Sequence, residues 1–481
     1  MPDAAYDPLA WLIVLPLTWA ALAFVLGPGK GSGLAILGLT AQNALALALA
    51  AEILERGGRV HAVGGWGAPL GIDLVVDGLS MVMLLLTQTL TLALAIYARA
   101  YFAQDRRDQS TRFWPLSGFL VAAMNALLLA ADLFNLYVTL ELMGLAAVGL
   151  VAAGGGAARV AAALRYLLVS LTASGAYLLG VALVYAVYGT VALAPLPTLI
   201  GTDPPLAFGL AAALMLAGLA AKTALFPFHF WLPPAHGGAS APVSALLSAL
   251  VVKASFYLIL RLWPDIFAPL GQTAAWGLGG LGAAAILWGS WQAIHANRLK
   301  MLVAWSTVAQ LGYLFLIFPL LAPDGVALQA GVMQAVAHGL AKAAMFTAVG
   351  VLIHATGCDT VDGLTGVASQ LPLTLFAFAL AGVTLMGLPP SGGFLAKWLL
   401  IDAALKNGHW GWIVLVISGG LLAAVYVFRV LRQAFLVTSE PCRLHPVPRR
   451  MEWVAFGLAA ASMMTGLRAV EIMALLRVAA P

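Results

Sequence analysis

Four of the seven lysines, Lys222, Lys253, Lys342 and Lys397, lie inside long apolar stretches, and so does one acid, Glu141. An ammonium at membrane depth costs at least ~2.5 kcal/mol, so a chain that repeats this four times is using the charges. His338 precedes Lys342 by four residues in QAVAHGLAKAAMF, which puts both on one helix face. Histidine titrates near neutral pH, and a lysine that gains and loses an acidic partner can bind and release a proton. Glu141, Lys222, Lys253, His338, Lys342 and Lys397 therefore suit stepwise movement of protons or ions through the interior of a membrane protein. Plainer readings exist. Lys222 could snorkel to the headgroups, and a lone histidine on an apolar face is more often a hydrogen-bonded core residue. The break beside Lys222 and the closeness of Lys342 to His338 favour the relay. Glu141 is the natural partner of Lys222.

Other candidates carry less. Asp132 reads as a carboxylate near an interface, and Asp402, five residues after Lys397, as a surface group. His229 and His236 flank Trp231-Leu-Pro-Pro and read as structural residues near a cytoplasmic mouth. Ser244 and Ser248 lie upstream of Lys253, and hydroxyls in such helices usually bond back to their own helix. Gly277-Leu-Gly-Gly-Leu-Gly282 matches GxGxxG but follows no strand and opens an apolar span, so it reads as helix packing. There is no P-loop, no nucleophile elbow and no His/Cys cluster with metal spacing. Cys358 and Cys442 stand far apart, which argues against a sequence-encoded iron–sulfur or zinc site and against a disulfide framework. No cofactor is expected in this chain.

The elements that must hold these groups are membrane helices. The chain is 62% hydrophobic and 9% charged, with a mean hydropathy of +0.98, far from a soluble domain at about 25% charged. Its net charge of +5 does not point to nucleic acid, because topology accounts for the basic residues. We count about fourteen spans long enough to cross the hydrocarbon core, near 9–27, 33–53, 77–98, 113–131, 133–153, 160–188, 206–226, 240–263, 273–295, 300–320, 327–354, 370–402, 409–436 and 452–476. Alternate loops carry fourteen basic residues: Lys30, Arg99, Arg106, Arg107, Arg112, Arg159, Arg165, Arg298, Lys300, Arg429, Arg432, Arg443, Arg449 and Arg450. The opposite loops carry six: Arg56, Arg59, Arg261, Lys406, Arg468 and Arg477. The positive-inside rule puts the first set in the cytoplasm and both termini outside. The acidic N-terminus, Met-Pro-Asp-Ala-Ala-Tyr-Asp, does not resemble a cleaved signal peptide. Residues 58–76 read as an external Gly-rich hairpin, residues 191–205 as a short surface element, and the polar loop 437–450 as a seat for a partner. Three spans read as interrupted: after Lys222 at Pro227, Pro233, Pro234 and Pro242; at Pro389-Pro390-Ser391-Gly392-Gly393; and, more weakly, around His338-Gly339. Broken helices at membrane depth line cavities and flag ion paths.

On these residues the chain resembles the antiporter-like proton-translocating subunits shared by respiratory complex I, Mrp-type cation/proton antiporters and membrane-bound hydrogenases. The matching stretches are 132–143 with Glu141, AAKTALFPFHFWLPPAHGGASAPVSALLSALVVK (221–253), NRLKMLVAWSTVAQLGY (297–313), HGLAKAAMF (338–346) and GLPPSGGFLAKWLL (387–400). The resemblance implies an all-α polytopic fold of fourteen helices, with two inverted five-helix repeats and broken helices seven and twelve. It divides the chain into 1–112, with the first three helices and the hairpin, 113–264 and 265–436 as the two repeats, and 437–481 as a cytoplasmic loop and last helix. It implies a Glu141–Lys222 charge pair, Lys253 as a bridge, His338 and Lys342 as the central link, and Lys397 as the terminal proton site. Where the family shows an acid after WLP this chain has Pro234, so that acid's role is not carried over.

The resemblance implies one member of a multi-subunit complex in a bacterial or archaeal cell membrane, with homologous antiporter-like subunits and small helical subunits as partners and protons, with or without Na+, as cargo. Lys397, the chain length and the compact termini resemble most the D-type member of an Mrp antiporter or a hydrogenase-type relative. A subunit of NADH-quinone oxidoreductase is the alternative, and any redox chemistry would lie in other subunits. From another class, a non-conducting membrane scaffold would tolerate loss of its lysines. A self-sufficient carrier is a further alternative.

Overall fold

The computed structural model describes residues 7–103, 107–437 and 444–480. The N-terminal residues 1–6, Arg106, Cys442, Arg443 and the middle of the polar loop (438–443) lie outside the described residues. In chain order the helices are α1 (Pro8–Arg56), α2 (Gly78–Tyr101), α3 (Arg107–Leu129), α4 (Leu133–Ala152), α5 (Ala157–Tyr188), α6 (Leu196–Ile200), α7 (Leu206–Lys222), α8 (Leu232–Gly238), α9 (Ala241–Leu246), α10 (Val252–Leu262), α11 (Gly271–His295), α12 (Leu299–Phe315), α13 (Val326–Thr356), α14 (Pro372–Met386), α15 (Gly392–Lys406), α16 (Trp410–Phe435), α17 (Arg449–Leu467) and α18 (Ala469–Leu476). Strands β1 (Arg59–Ala62) and β2 (Asp73–Val76) pair antiparallel, Arg59 opposite Val76. This is the expected hairpin, and α6 is the expected short element after α5. Nine of the described helices are long and apolar enough to cross a membrane, ten if the bent pair α17–α18 is one span. α7 and α14 are equally apolar but shorter, because chain breaks end them.

Lipid offers no hydrogen bonds, so each break must be closed from within the protein. Gly27, at φ +71°, cannot continue a helix, and Pro28 follows it. The two arms of α1 fold back on each other there: Trp19 Nε1 donates to Gln42 Oε1 at 3.2 Å, and Gln42 Nε2 to the Leu12 carbonyl at 3.4 Å. α7 stops at Lys222 and α14 at Met386, ahead of the two proline-rich breaks read from the sequence. The third interruption is absent. α13 runs unbroken through His338-Gly339, and Gly339 is small because the Ala249 carbonyl and Leu86 lie against it. Two distortions had no sequence signal. Residues Leu247–Val251 form a π-helical turn between α9 and α10, and α18 leaves α17 at 70°.

α13 is the central helix. It packs against α2, α9, α12, α14, α15 and α17 and is buried along nearly its whole length. The GxGxxG stretch packs helix on helix, as expected: a Cβ on Gly282 would lie 2.6 Å from the Gly312 carbonyl oxygen of α12. Basic residues near helix ends are held by acids or carbonyls. Arg59 pairs with Asp7 and Glu52 beside the hairpin, and Arg261 pairs with Asp77 at the start of α2. Arg298 pairs with Asp359 at the opposite end, where Lys300 Nζ donates to the Ala239 carbonyl at 2.6 Å.

A buried polar chain through the helix breaks

One end of the site is an ion pair. Asp132 caps α4, accepting from Asn135 N at 2.7 Å, and the helix carries Glu141 inward. Lys222, the last residue of α7, reaches Glu141 Oε1 at 3.2 Å and donates to the Leu140 carbonyl at 3.1 Å. The pair is largely buried, with Lys222 at 6% and Glu141 at 16% side-chain exposure. The break after Lys222 is closed by Trp231, which donates to the Ala221 carbonyl at 3.1 Å and stacks on Tyr166 at 4.3 Å. A cavity of about 10 Å³, lined by Tyr166, Ser170, Lys222, Trp231, Val251 and Ser255, separates Lys222 from α10. That is room for one water. Gly144 keeps this corner open, since a Cβ there would lie 2.9 Å from Ser170 Oγ and 3.4 Å from Lys222 Nζ.

The π-helical turn supplies the next seat. Widening the helix shifts its hydrogen-bond register, and the Ser248 carbonyl accepts from Lys253 Nζ at 2.9 Å. Ser248 Oγ meets Thr307 Oγ1 of α12 at 2.9 Å. Thr307 Oγ1 bonds the Val303 carbonyl at 3.0 Å, and that carbonyl also accepts from Lys342 Nζ at 3.1 Å. Lys342 Nζ also makes a short hydrogen bond to Ser306 Oγ. Hydroxyls and carbonyls thus connect Lys253 to Lys342. His338 lies on the same face of α13, 1% exposed, with neither ring nitrogen hydrogen-bonded.

Beyond Lys342 the chain continues through amides. On α12, Gln310 is four residues from Ser306. Its Nε2 donates to the Leu385 carbonyl at 3.2 Å, and its Oε1 accepts from Gln334 Nε2 of α13 at 3.1 Å. Lys397 of α15 reaches back across the second break to the same Leu385 carbonyl at 2.6 Å and to Met386 at 3.0 Å. These carbonyls end α14, so the negative end of the helix dipole faces the ammonium. Lys397 Nζ also lies 4.5 Å from the ring centre of Tyr313, a cation–π distance.

The structure therefore joins Glu141 to Lys222, and Lys253 to Lys342, and sets Lys397 on the carbonyls that Gln310 also binds. Among the described residues, Lys222 is the one of the four buried lysines with an acid as partner. Asp402 does not join the site. It pairs with Lys406 at 2.8 Å on the surface. Lys222 and Lys397 stand on opposite sides of their breaks, one ending the helix before and one inside the helix after. His236 is buried, 1% exposed and stacked on Phe346 at 5.3 Å. Ser306, Thr307, Gln310 and Gln334 were missed as site residues. Their one sequence signal is polarity inside apolar spans, at i, i+1 and i+4 on α12 and four residues before His338 on α13.

A family model described as "NADH:quinone oxidoreductase/Mrp antiporter, TM" matches residues 130–423. The chain is 37% identical over 408 residues to the N-type component of the NADH-quinone oxidoreductase of Desulforudis audaxviator, covering 84% of this chain and 80% of that protein. It is 28% identical to the D-type component of the Na(+)/H(+) antiporter of Alkalihalophilus pseudofirmus, over 84% of this chain and 81% of that one. In three dimensions it overlays on a chain of the Mrp complex from Dietzia sp. with a TM-score of 0.88 at 27% identity, covering 97% and 96% of the two chains. It overlays on a chain of respiratory complex I from Thermus thermophilus with a TM-score of 0.78 at 27% identity, covering 98% and 99%. The chain belongs to the NADH:quinone oxidoreductase/Mrp antiporter transmembrane family, as an antiporter-like multi-pass membrane subunit of Mrp- or complex I-type assemblies.

Proposed function

We propose that this subunit carries protons along Glu141, Lys222, Lys253, His338, Lys342 and Lys397. The observation that carries the reading is the placement of the four buried lysines, each seated on carbonyls at a helix break, at a π-helical turn or on a neighbouring helix, with a water-sized cavity beside Lys222, hydroxyls between Lys253 and Lys342, and amides between Lys342 and Lys397. Carbonyl seats hold a lysine in either charge state, because a neutral amine still donates. The charge can then follow the strength of the acidic partner. When Glu141 holds Lys222, the positive charge rests at that end. When the pair opens, charge shifts toward Lys253 and Lys342, and from there toward Lys397. His338, one helical turn before Lys342 on the same face of α13, can exchange a proton with it.

We infer that residues 113–264 and 265–436 form two inverted five-helix repeats with breaks after α7 and α14, in a fold of fourteen crossings with both termini outside. Reporter fusions after Ala480 and in the Arg298–Lys300 loop test the orientation. The driving partner has two readings. The overlay on the Mrp complex supports cation/proton exchange, with Na+ as a candidate cation. The 37% identity to a quinone oxidoreductase subunit supports a redox-driven pump. Mass spectrometry of the intact complex from native membranes separates them: small membrane subunits alone mean an antiporter, and iron–sulfur, flavin or nickel subunits mean a redox pump. Glu141→Ala and Lys222→Ala should each abolish proton movement in an assembled complex. Full transport in both would leave a non-conducting scaffold.

A further inference from the structure

The path from Lys342 to Lys397 has a chemical gap. Lys342 rests on Ser306 Oγ, and Lys397 on the Leu385 carbonyl. Between them the side chains that make hydrogen bonds are Gln310 and Gln334, locked amide to amide at 3.1 Å. An amide N–H donates and its oxygen accepts, but neither titrates near neutral pH. Two linked amides hold the helices in register and block proton hopping. A hydroxyl differs, because it can accept one proton while releasing another.

Tyr426 of α16 puts such a hydroxyl at this gap. It is fully buried, its phenol oxygen faces the side chains of Ser306 and Gln310, and it makes no hydrogen bond of normal geometry. The groups around it are few. α12 presents Ser306, Gln310 and Tyr313, and α15 presents Lys397, beside Gly420 of α16 itself. α14 has no titratable side chain, and α11 has only His295 at its far end.

Building on the proposed proton path, we propose that Tyr426 is a further proton-transfer residue, which carries protons past the Gln310–Gln334 lock between Ser306 and Lys397. The step balances. Lys342 gives a proton to Ser306, whose own hydroxyl proton passes to the Tyr426 oxygen. The phenol proton leaves toward the neutral Lys397 amine, and Tyr426 ends as it began. Gln310 stays fixed on the carbonyl that seats Lys397, which keeps the amine at the exit of the relay.

The test uses the intact complex in proteoliposomes, with proton movement followed by a pH-sensitive dye. Tyr426→Phe removes only the hydroxyl. It should lower proton transport about tenfold or more, the lower side of what a proton-transfer group contributes, and raise the solvent deuterium isotope effect, while the complex assembles normally. 3-Fluorotyrosine placed at position 426 alone keeps the hydroxyl and the packing but makes the phenol more acidic. A more acidic phenol passes its proton on more readily, so this variant should change the transport rate and its solvent deuterium isotope effect at fixed pH, which a packing role would not do. A rate and an isotope effect equal to those of the native complex overturn the proposal, including where Tyr426→Phe fails to assemble. Full transport by Tyr426→Phe beside an inactive Lys342→Ala also overturns it and leaves the proton path standing. Full transport by both Lys342→Ala and Glu141→Ala refutes the path itself.

Discussion

The Glu141–Lys222 pair permits a prediction in which structure and function come apart. At 3.2 Å, unit charges attract by about 5 kcal/mol at an effective dielectric near 20. Glu141 keeps 16% side-chain exposure, and solvent screening brings the figure toward the lower end of the ~3–5 kcal/mol measured when one member of a buried pair is removed. Glu141→Gln keeps the shape and deletes the charge, stranding the ammonium. Lys222→Met strands the carboxylate. Each single change should lower the thermal midpoint of the detergent-solubilised complex. The double change leaves no unpaired charge, so its midpoint should return most of the way, with a coupling of about 3 kcal/mol. Proton transport should not return, because the path has lost both groups. Additive destabilisation in the double variant would refute the claim that the pair is electrostatically coupled. Recovered transport would refute its role in the path.

Thr307→Val removes the bridge to Ser248 at 2.9 Å with little change of shape. It should cost about 1–2 kcal/mol for the stranded hydroxyl and slow proton flux, with Thr307→Ser close to wild type in both; equal fluxes for the two variants would count against the hydroxyl bridge. Lys397→Glu aims a carboxylate at the Leu385 and Met386 carbonyls, which now accept at 2.6 and 3.0 Å. It should lower the thermal midpoint more than Lys397→Met and abolish flux, and an active Lys397→Glu complex would mean that the carbonyl seat does not select a donor. Gly282→Val places a methyl-bearing carbon where a Cβ would already be 2.6 Å from the Gly312 carbonyl. Overpacking of about 1–3 kcal/mol should reduce the yield of assembled complex, and a normal yield would show that α11 and α12 can slide apart.

Much of this fold was legible because membrane burial makes few exceptions. Apolar length located the helices, and prolines located the breaks after α7 and α14. The reading failed where polarity was taken for weakness. His338-Gly339 read as an interruption, yet α13 is continuous there, because a glycine beside the Ala249 carbonyl serves packing and a buried histidine costs less than an ammonium. The π-helical turn was invisible since LSALV differs from helical sequence in no local way; the turn carries one bond within its own helix, from Lys253 Nζ to the Ser248 carbonyl, and one across to α12, between Ser248 Oγ and Thr307 Oγ1. The same asymmetry governs the site. An ammonium in an apolar span demands explanation, so Lys222, Lys253, Lys342 and Lys397 stood out at once. Ser306, Thr307, Gln310 and Gln334 did not, because serine and threonine have a cheap local solution in bonding to their own helix, and Ser306 and Thr307 both do so at Val303.

Their second partners across the helix interface are what place them on the proposed path, and spacing along one chain does not specify those. The lysines play two roles for a related reason. A break in a membrane helix frees carbonyls that lipid cannot satisfy, and a break lined by carbonyls attracts a cationic donor. Lys397 closes α14 and Lys253 does the same for the π-helical turn, and both stand on the proposed proton path. Deleting a lysine therefore removes a member of the proposed path and reopens a backbone defect together, and loss of transport in an alanine variant alone does not separate the two. Glu141→Gln, which keeps Lys222 as the donor and removes only the charge coupling, does.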